Sequence, residues 1–97
     1  MSKTKAKAAV RRARDLLGNA VQRRQPASFD TGRRVFDQLA LAIEEEAVSK
    51  SSDPVIIIEL MRAATEMYHF AGATTKKRRL RAQWSAWVVL HEMLGDM

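Results

Sequence analysis

The sequence predicts an all-α protein, a compact bundle of four or five helices that pack mostly antiparallel. Apolar residues recur every three or four positions along four separate stretches, which is the period of a helix with one buried face. Short connections join the stretches, and short connections place consecutive helices side by side in opposite directions. Residues 1–97 are therefore expected to form a single helical domain whose basic N-terminus, residues 1–5, is frayed.

The first two helices are predicted at about 5–24 and 28–49. Pro26 separates them, because proline disfavours helix in the residue before it. The first buried stripe is expected to comprise Ala6, Val10, Ala13, Leu17, Ala20 and Val21. The second is expected to comprise Val35, Phe36, Leu39, Ala42, Ile43 and Ala47.

The third helix has the clearest start, Asp53 as N-cap with Pro54 at the first helical position. Residues 55–58 alone would also suit a buried strand, but the helical period continues to Ala71, and Gly72 is a suitable end. Its apolar positions are Leu60, Met61, Ala64, Met67, Tyr68 and Ala71. Because this helix is apolar on more than one face, we expect it to lie centrally.

The fourth helix is predicted from Thr75 to Leu94, with Thr74 or Thr75 as N-cap. Its buried stripe is expected to comprise Leu80, Trp84, Trp87, Val88 and His91.

Composition narrows the class of protein. The chain has no cysteine, which excludes disulfide scaffolds and thiolate chemistry. No purely apolar run, 55–58 included, is longer than five residues, which is too short for a bilayer, and the N-terminus lacks the apolar stretch of a secretory signal. We therefore expect a cytoplasmic protein with no membrane partner.

The net charge of +6 is unevenly distributed. Residues 1–25 contain eight Lys/Arg and one acid, residues 26–72 contain four basic and eight acidic residues, and residues 73–97 contain five and two. Two basic ends thus flank an acidic middle. This pattern suits a polyanionic partner, and it also suits copies of the chain that dock basic end to acidic middle.

The strongest functional signal is a basic cluster at the start of the fourth helix. It contains Lys76, Lys77, Arg78, Arg79 and Arg81, with Gln83 extending the polar surface. A helix N-terminus already has partial positive charge, so each cation there is unfavourable by about 0.3–1 kcal/mol. No acid lies between Glu66 and Glu92 to offset them. We interpret the cluster as a site for an external anion, a nucleic-acid backbone, although a merely solvated basic face is the alternative.

Further basic candidates lie on the first two helices. They are Arg11, Arg12 and Arg14 on the first, and Arg33 and Arg34 at the start of the second. Asp30 and Asp37 are able to offset the second pair, so that a structural role is equally well supported there. Arg23 and Arg24 need no ligand, because cations are favourable at a helix C-terminus.

Two sets of residues are candidates for protein contacts. One is the acidic run Glu44, Glu45 and Glu46, which would receive a basic patch of a neighbouring copy or simply be solvated. The other is the pair Trp84 and Trp87, three residues apart on one helix. Tryptophans in such a position anchor a core or an interface more often than they stack on bases.

The sequence contains no recognisable enzymatic machinery. There is no glycine-rich phosphate loop and no cysteine–histidine pairing, and the Ser, His and Asp residues have no informative arrangement. Glu66 with His69 provides only half of a di-iron motif. We expect no catalysis, no metal, no cofactor and no small-molecule substrate.

In helix number, size and basic clusters, 76–81 and 11–14, the chain resembles the small helical subunits of multi-subunit CRISPR effector complexes. No diagnostic motif carries the resemblance. It implies a non-catalytic subunit of an antiviral ribonucleoprotein assembly that binds guide RNA or a target DNA strand without sequence specificity, beside other protein subunits.

Two other functions suit the same pattern. A DNA-binding protein of plasmid or phage type would use residues 54–94 as a helix-turn-helix. The cluster 76–81 lacks Asn and Gln, which favours backbone contact over base readout. A structural adaptor would instead present the cluster to an acidic protein.

Overall fold

A computed structural model describes residues 2–97, with side chains from residue 5 onward. It contains four helices, α1 (Ser2–Arg23), α2 (Phe29–Ala47), α3 (Pro54–Gly72) and α4 (Lys76–Asp96). The all-α class is confirmed, and the described part of the chain has no fifth helix. Of residues 1–5, which were expected to fray, Met1 and the side chains of residues 2–4 lie outside the described set, and α1 already includes the backbone of residues 2–5.

The helices form a closed ring in which each packs against the next and α1 packs against α4. Specific contacts give the directions. Arg12 of α1 donates a hydrogen bond to Gln38 of α2, and a Cβ added at Gly18 of α1 would lie 3.7 Å from the indole nitrogen of Trp87 in α4. Neighbours in the ring are thus antiparallel, as predicted, in a bundle 41 Å long and 21 by 20 Å across.

A side chain caps the start of each of the last three helices. Ser28 accepts a hydrogen bond from the backbone of Thr31, and Asp53 accepts one from Val55. Of the two threonines considered for α4, Thr75 is the cap. Each such cap is worth about 1 kcal/mol because it satisfies an amide that has no partner within the helix.

The interior of α1 agrees with the sequence, since Ala6, Val10, Ala13 and Leu17 are fully buried. The α4 stripe was predicted wrongly. Its buried residues are Ala82, Gln83, Ala86, Val89, Leu90 and Met93. Two apolar stripes overlap on this helix, and the small or aliphatic one is buried because indole and imidazole nitrogens need polar partners.

The expectation that α3 lies centrally is also wrong. A ring of four helices has no central position, so α3 leaves Ile58, Met61 and Tyr68 exposed while Met67 and Phe70 are buried. On α2, Phe36 is exposed in the same way.

The α2–α3 contact depends on a glycine. A Cβ added at Gly32 would lie 2.9 Å from the ring of Phe70, so a larger residue here would push the helices apart.

Candidate nucleic-acid interface

The up-down order of the helices gathers several basic segments at one end of the bundle. The last turn of α1 and the first turns of α2 and α4 meet there, because α1 runs toward this end of the bundle and α2 and α4 start from it. We call this the basic end, and it contains Arg23, Arg24, Arg33, Arg34, Lys76, Lys77, Arg78, Arg79 and Arg81. These are nine of the 17 basic residues, collected on a surface about 20 Å wide.

The first turn of α4 is the most strongly basic part of this end. Thr75 caps the helix by accepting a hydrogen bond from the backbone of Arg78 at 3.2 Å, and the turn contains no acid. Lys76, Lys77 and Arg78 are exposed, and no described residue forms an ion pair with them. The helix start therefore has unopposed positive charge, as the sequence indicated.

Arg79 differs from its neighbours in the cluster. Its guanidinium lies over the ring of Phe29 at 5.5 Å, and Phe29 packs against Phe70 with ring centroids 6.0 Å apart. The Nε atom of Arg79 is buried and has no partner among the described residues. Arg79 thus attaches α4 to α2 through a cation–π contact, which sets it apart from the freely exposed cations beside it.

At the start of α2, Asp30 offsets both neighbouring arginines, as expected. Its carboxylate lies 3.1 Å from Arg34 and 3.9 Å from Arg33. The three side chains are all more than half exposed, so that the pairs remain accessible to a competing anion.

The predicted cations of α1 are not brought to the basic end. Arg11 lines a cavity at the opposite end of the bundle, with Asp53 and Asp96. Arg12 donates to the Oε1 of Gln38 at 2.8 Å, and Arg14 pairs with its neighbour Asp15 at 3.1 Å. These residues are separated from the α4 cluster, because they lie in the first half or the middle of a helix whose last turn reaches it.

Gln83 is buried, and its predicted place on the polar surface is wrong. Its Oε1 accepts from the backbone of Ala27 at 2.9 Å, and its Nε2 donates to the carbonyl of Gln25 at 2.8 Å. The side chain satisfies two backbone groups of the connection between α1 and α2, which otherwise would lack partners. Gln83 thus holds this connection against α4.

Two cavities open at the basic end beside α4. One, of about 500 Å³, lies between α3 and α4 and is lined in part by His69, Arg78 and Arg81. Within this cavity, the Nδ1 atom of His69 lies 3.5 Å from the Oε1 atom of Glu66.

The other, of about 360 Å³, lies between the end of α1 and the start of α4. We call it the α1–α4 cleft. It is lined by Val21, Arg24, Leu80, Arg81, Gln83 and Trp84.

The sequence interpretation missed Arg24 as a member of this site, because a helix C-terminus explained its charge. The antiparallel order was the available signal, since it places the end of α1 beside the start of α4. Arg24 and Arg81 line the same cleft although 57 positions separate them in the chain.

The three glutamates proposed for protein contacts differ in how exposed they are. Glu44 is exposed and Glu45 is half-buried, whereas Glu46 is fully buried. The prediction of an interface role for Glu46 is therefore wrong. The Oε2 atom of Glu46 accepts a hydrogen bond from the backbone of Asp53 at 3.0 Å, so that its carboxylate serves the start of α3.

The two tryptophans have different surroundings. Trp84 is 57% exposed. Trp87 packs against the core and stacks on His91 with ring centroids 4.8 Å apart. Only Trp84 presents a free indole face to solvent.

Within the described residues, no helix is both long enough and apolar enough to cross a membrane. Comparison with known proteins finds no matching family model, no matching curated protein and no matching solved structure.

Proposed function

We propose that this chain is a non-catalytic, largely sequence-independent nucleic-acid-binding subunit of a nucleoprotein assembly. In the resemblance given by its sequence, that assembly is a CRISPR effector complex. The observation that carries the proposal is the convergence of cations from three helix termini at the basic end. A nucleic-acid backbone is the partner that supplies many negative charges along one line.

The dimensions of the basic end suit such a backbone. One strand of a duplex has a phosphate about every 3.4 Å along the axis, so a surface 20 Å wide faces roughly six phosphates. Lys76, Lys77, Arg78 and Arg81 extend from α4, and Arg33 and Arg34 extend from α2. Cations on two elements are able to follow a track of phosphates, which a single point charge cannot do.

The chemistry of these side chains favours backbone contact over base reading. Arginine binds phosphate through two parallel hydrogen bonds, and lysine acts as a point charge. Sequence is read by groups that reach base edges in a groove. The exposed side chains of the α4 start are all cationic, which supports binding that is independent of sequence.

The helix-turn-helix alternative receives less support. In that motif two helices meet at about 90–120° around a short turn. Here α3 and α4 lie side by side over their length, with Glu66 beside Arg81 at one end and Glu59 beside Glu92 toward the other. This hairpin arrangement buries α4 on both flanks, which leaves little of it to enter a major groove.

The test is equilibrium binding to random-sequence single-stranded RNA, single-stranded DNA and duplex DNA, measured by fluorescence anisotropy across a salt series. The informative variant is Lys77→Ala/Arg78→Ala, since both side chains are exposed and neither forms an ion pair with a described residue. We expect its Kd to rise about tenfold at low salt, and the slope of log K against log salt to flatten by ~0.7 per lost phosphate contact.

A matched control removes two exposed charges elsewhere, as Lys5→Ala/Lys50→Ala. This variant has the same net charge as the first but keeps the basic end intact. Equal losses in the two variants would mean that only net charge matters. No binding by the unmodified chain to any of the three nucleic acids at low salt would refute the proposal and leave the adaptor function.

A further inference from the structure

We infer that the α1–α4 cleft is a subsite for one unpaired nucleobase, whose flanking phosphates are contacted by Arg24 and Arg81. The inference rests on the proposed function and narrows it, because an accessible unpaired base requires a single-stranded ligand. Three features of the cleft carry it, namely the chemistry of its walls, the charge of its rim and the backbone conformation of Arg24.

The walls of the cleft are apolar and include a free aromatic face. Val21 of α1 and Leu80 of α4 contribute aliphatic surface, and Trp84 contributes an indole that is 57% exposed. A volume of about 360 Å³ lies within the range of small-ligand pockets. Aromatic side chains stack on any base, since every base has a π face, so this contact is independent of sequence.

The rim of the cleft is cationic on both sides. Arg24 and Arg81 line it, and no described residue forms an ion pair with either guanidinium. An uncharged apolar ligand would leave these charges unneutralised. A nucleotide has both parts that the cleft lacks, a planar apolar ring for the walls and phosphates for the rim.

Arg24 occupies a backbone position that favours glycine. Its φ of 55° is the one left-handed conformation among the described residues other than glycine. The amide of Arg24 bonds the carbonyl of Val21 and the amide of Gln25 bonds that of Ala20, which together form a Schellman motif ending α1. Arginine here is disfavoured by its Cβ, whereas glycine would close the motif without strain.

Residues with a strained backbone conformation cluster at functional sites, where the surrounding structure holds them in place. The backbone that follows Arg24 at the end of α1 is fixed by Gln83, which forms hydrogen bonds with the backbone of Gln25 and Ala27. Arg24 consequently lines the cleft from a firmly held backbone. This placement is the second role of the α1 terminus, beyond ending the helix.

Duplex nucleic acid offers no unpaired base that could enter the cleft. Its bases are paired and stacked on one another, and the phosphates alone would reach the rim. We therefore expect oligo(dT) to bind more tightly than a duplex of equal length, with the difference arising in the cleft.

The first experiment uses the two tryptophans as reporters. Trp87→Phe leaves Trp84 as the one tryptophan, and Trp84→Phe leaves Trp87, so that excitation of tryptophan alone reports on a single site. We expect oligo(dT) to quench Trp84 emission and to leave Trp87 emission unchanged, because Trp87 is stacked on His91 outside the cleft. Trp84 emission that is unchanged at saturating oligo(dT) would overturn the inference.

The second experiment separates binding from stability. Arg24→Gly is expected to raise Tm by roughly 4–8 °C by relieving the left-handed strain, while the Kd for oligo(dT) rises about tenfold. Arg23→Ala is the control, since it removes the same charge one residue earlier and does not line the cleft. Equal effects of the two variants on the Kd would overturn the inference.

The two proposals fail in distinguishable ways. Weakened binding by Lys77→Ala/Arg78→Ala with no quenching of Trp84 refutes the base subsite and leaves nucleic-acid binding in place. Absence of binding to every nucleic acid refutes both. Quenching of Trp84 by an acidic peptide but not by oligo(dT) would likewise refute the base subsite, because it assigns the cleft to a protein.

Discussion

The starts of α3 and α4 illustrate two ways to satisfy a helix N-terminus. At α3, the carboxylate of Asp53 accepts from Val55 at 2.9 Å, and the buried carboxylate of Glu46 accepts from Asp53 itself at 3.0 Å. At α4, the cap is the neutral hydroxyl of Thr75, and five cations follow within six residues. Both helices need negative charge at this position, and only α3 obtains it from within the chain.

This difference distinguishes a closed helix start from an open one. The α3 start lies against α2, with its anions supplied by the fold, and has no need of a ligand. The α4 start is exposed and carries charge of the unfavourable sign. An external anion would provide for α4 what Glu46 and Asp53 provide for α3, which is the physical basis of the proposed function.

The largest expected effect comes from breaking the closed start. Glu46→Ala removes a buried acceptor and leaves the backbone amide of Asp53 without its partner. We expect a loss of about 2–3 kcal/mol in the free energy of unfolding, measured by urea denaturation. Glu44→Ala is the matched control, being exposed on the same helix, and is expected to change stability by less than about 0.5 kcal/mol. Similar losses in both variants would show that the Glu46 bond is unimportant.

An intermediate effect is expected from changing the cap of the open start. Thr75→Ala should cost about 1 kcal/mol in thermal or urea unfolding, because the amide of Arg78 loses its acceptor. Thr75→Asp should instead match or exceed the native stability, since it introduces the carboxylate that α3 has. A Thr75→Asp variant less stable than Thr75→Ala would contradict the view that α4 lacks negative charge.

The smallest effect is expected from reversing one charge in the first turn of α4. Lys76→Glu should stabilise the free protein by about 0.3–1 kcal/mol at low salt, and the gain should fade as salt is added. The same variant should bind nucleic acid more weakly. Unfolding and fluorescence anisotropy measured on one preparation would show whether stability rises while binding weakens. A variant that is both less stable and weaker in binding would argue against this view of the α4 start.

Local features of the fold were predictable because they depend on residues close in sequence. The start at Asp53 and Pro54 and the stripe of α1 follow from spacing and capping alone. The buried face of α4 did not follow, because two apolar stripes overlap there and local periodicity cannot rank them. The burial of Glu46 and Gln83 could not be predicted either, because each side chain forms hydrogen bonds with backbone groups of another segment of the chain.

The four helices and the basic cluster at the start of α4 can be recognised from the sequence alone. Periodicity, capping and charge act within a few residues, so that no tertiary contact is needed to recognise them. Which cations share a surface depends instead on the tertiary packing. In the folded chain, Arg11, Arg12 and Arg14 lie apart from the cluster. Arg79 contacts Phe29, and Arg24 lines the same cleft as Arg81. The antiparallel packing of four helices places residues together by their height along the bundle, which spacing along the chain does not reveal.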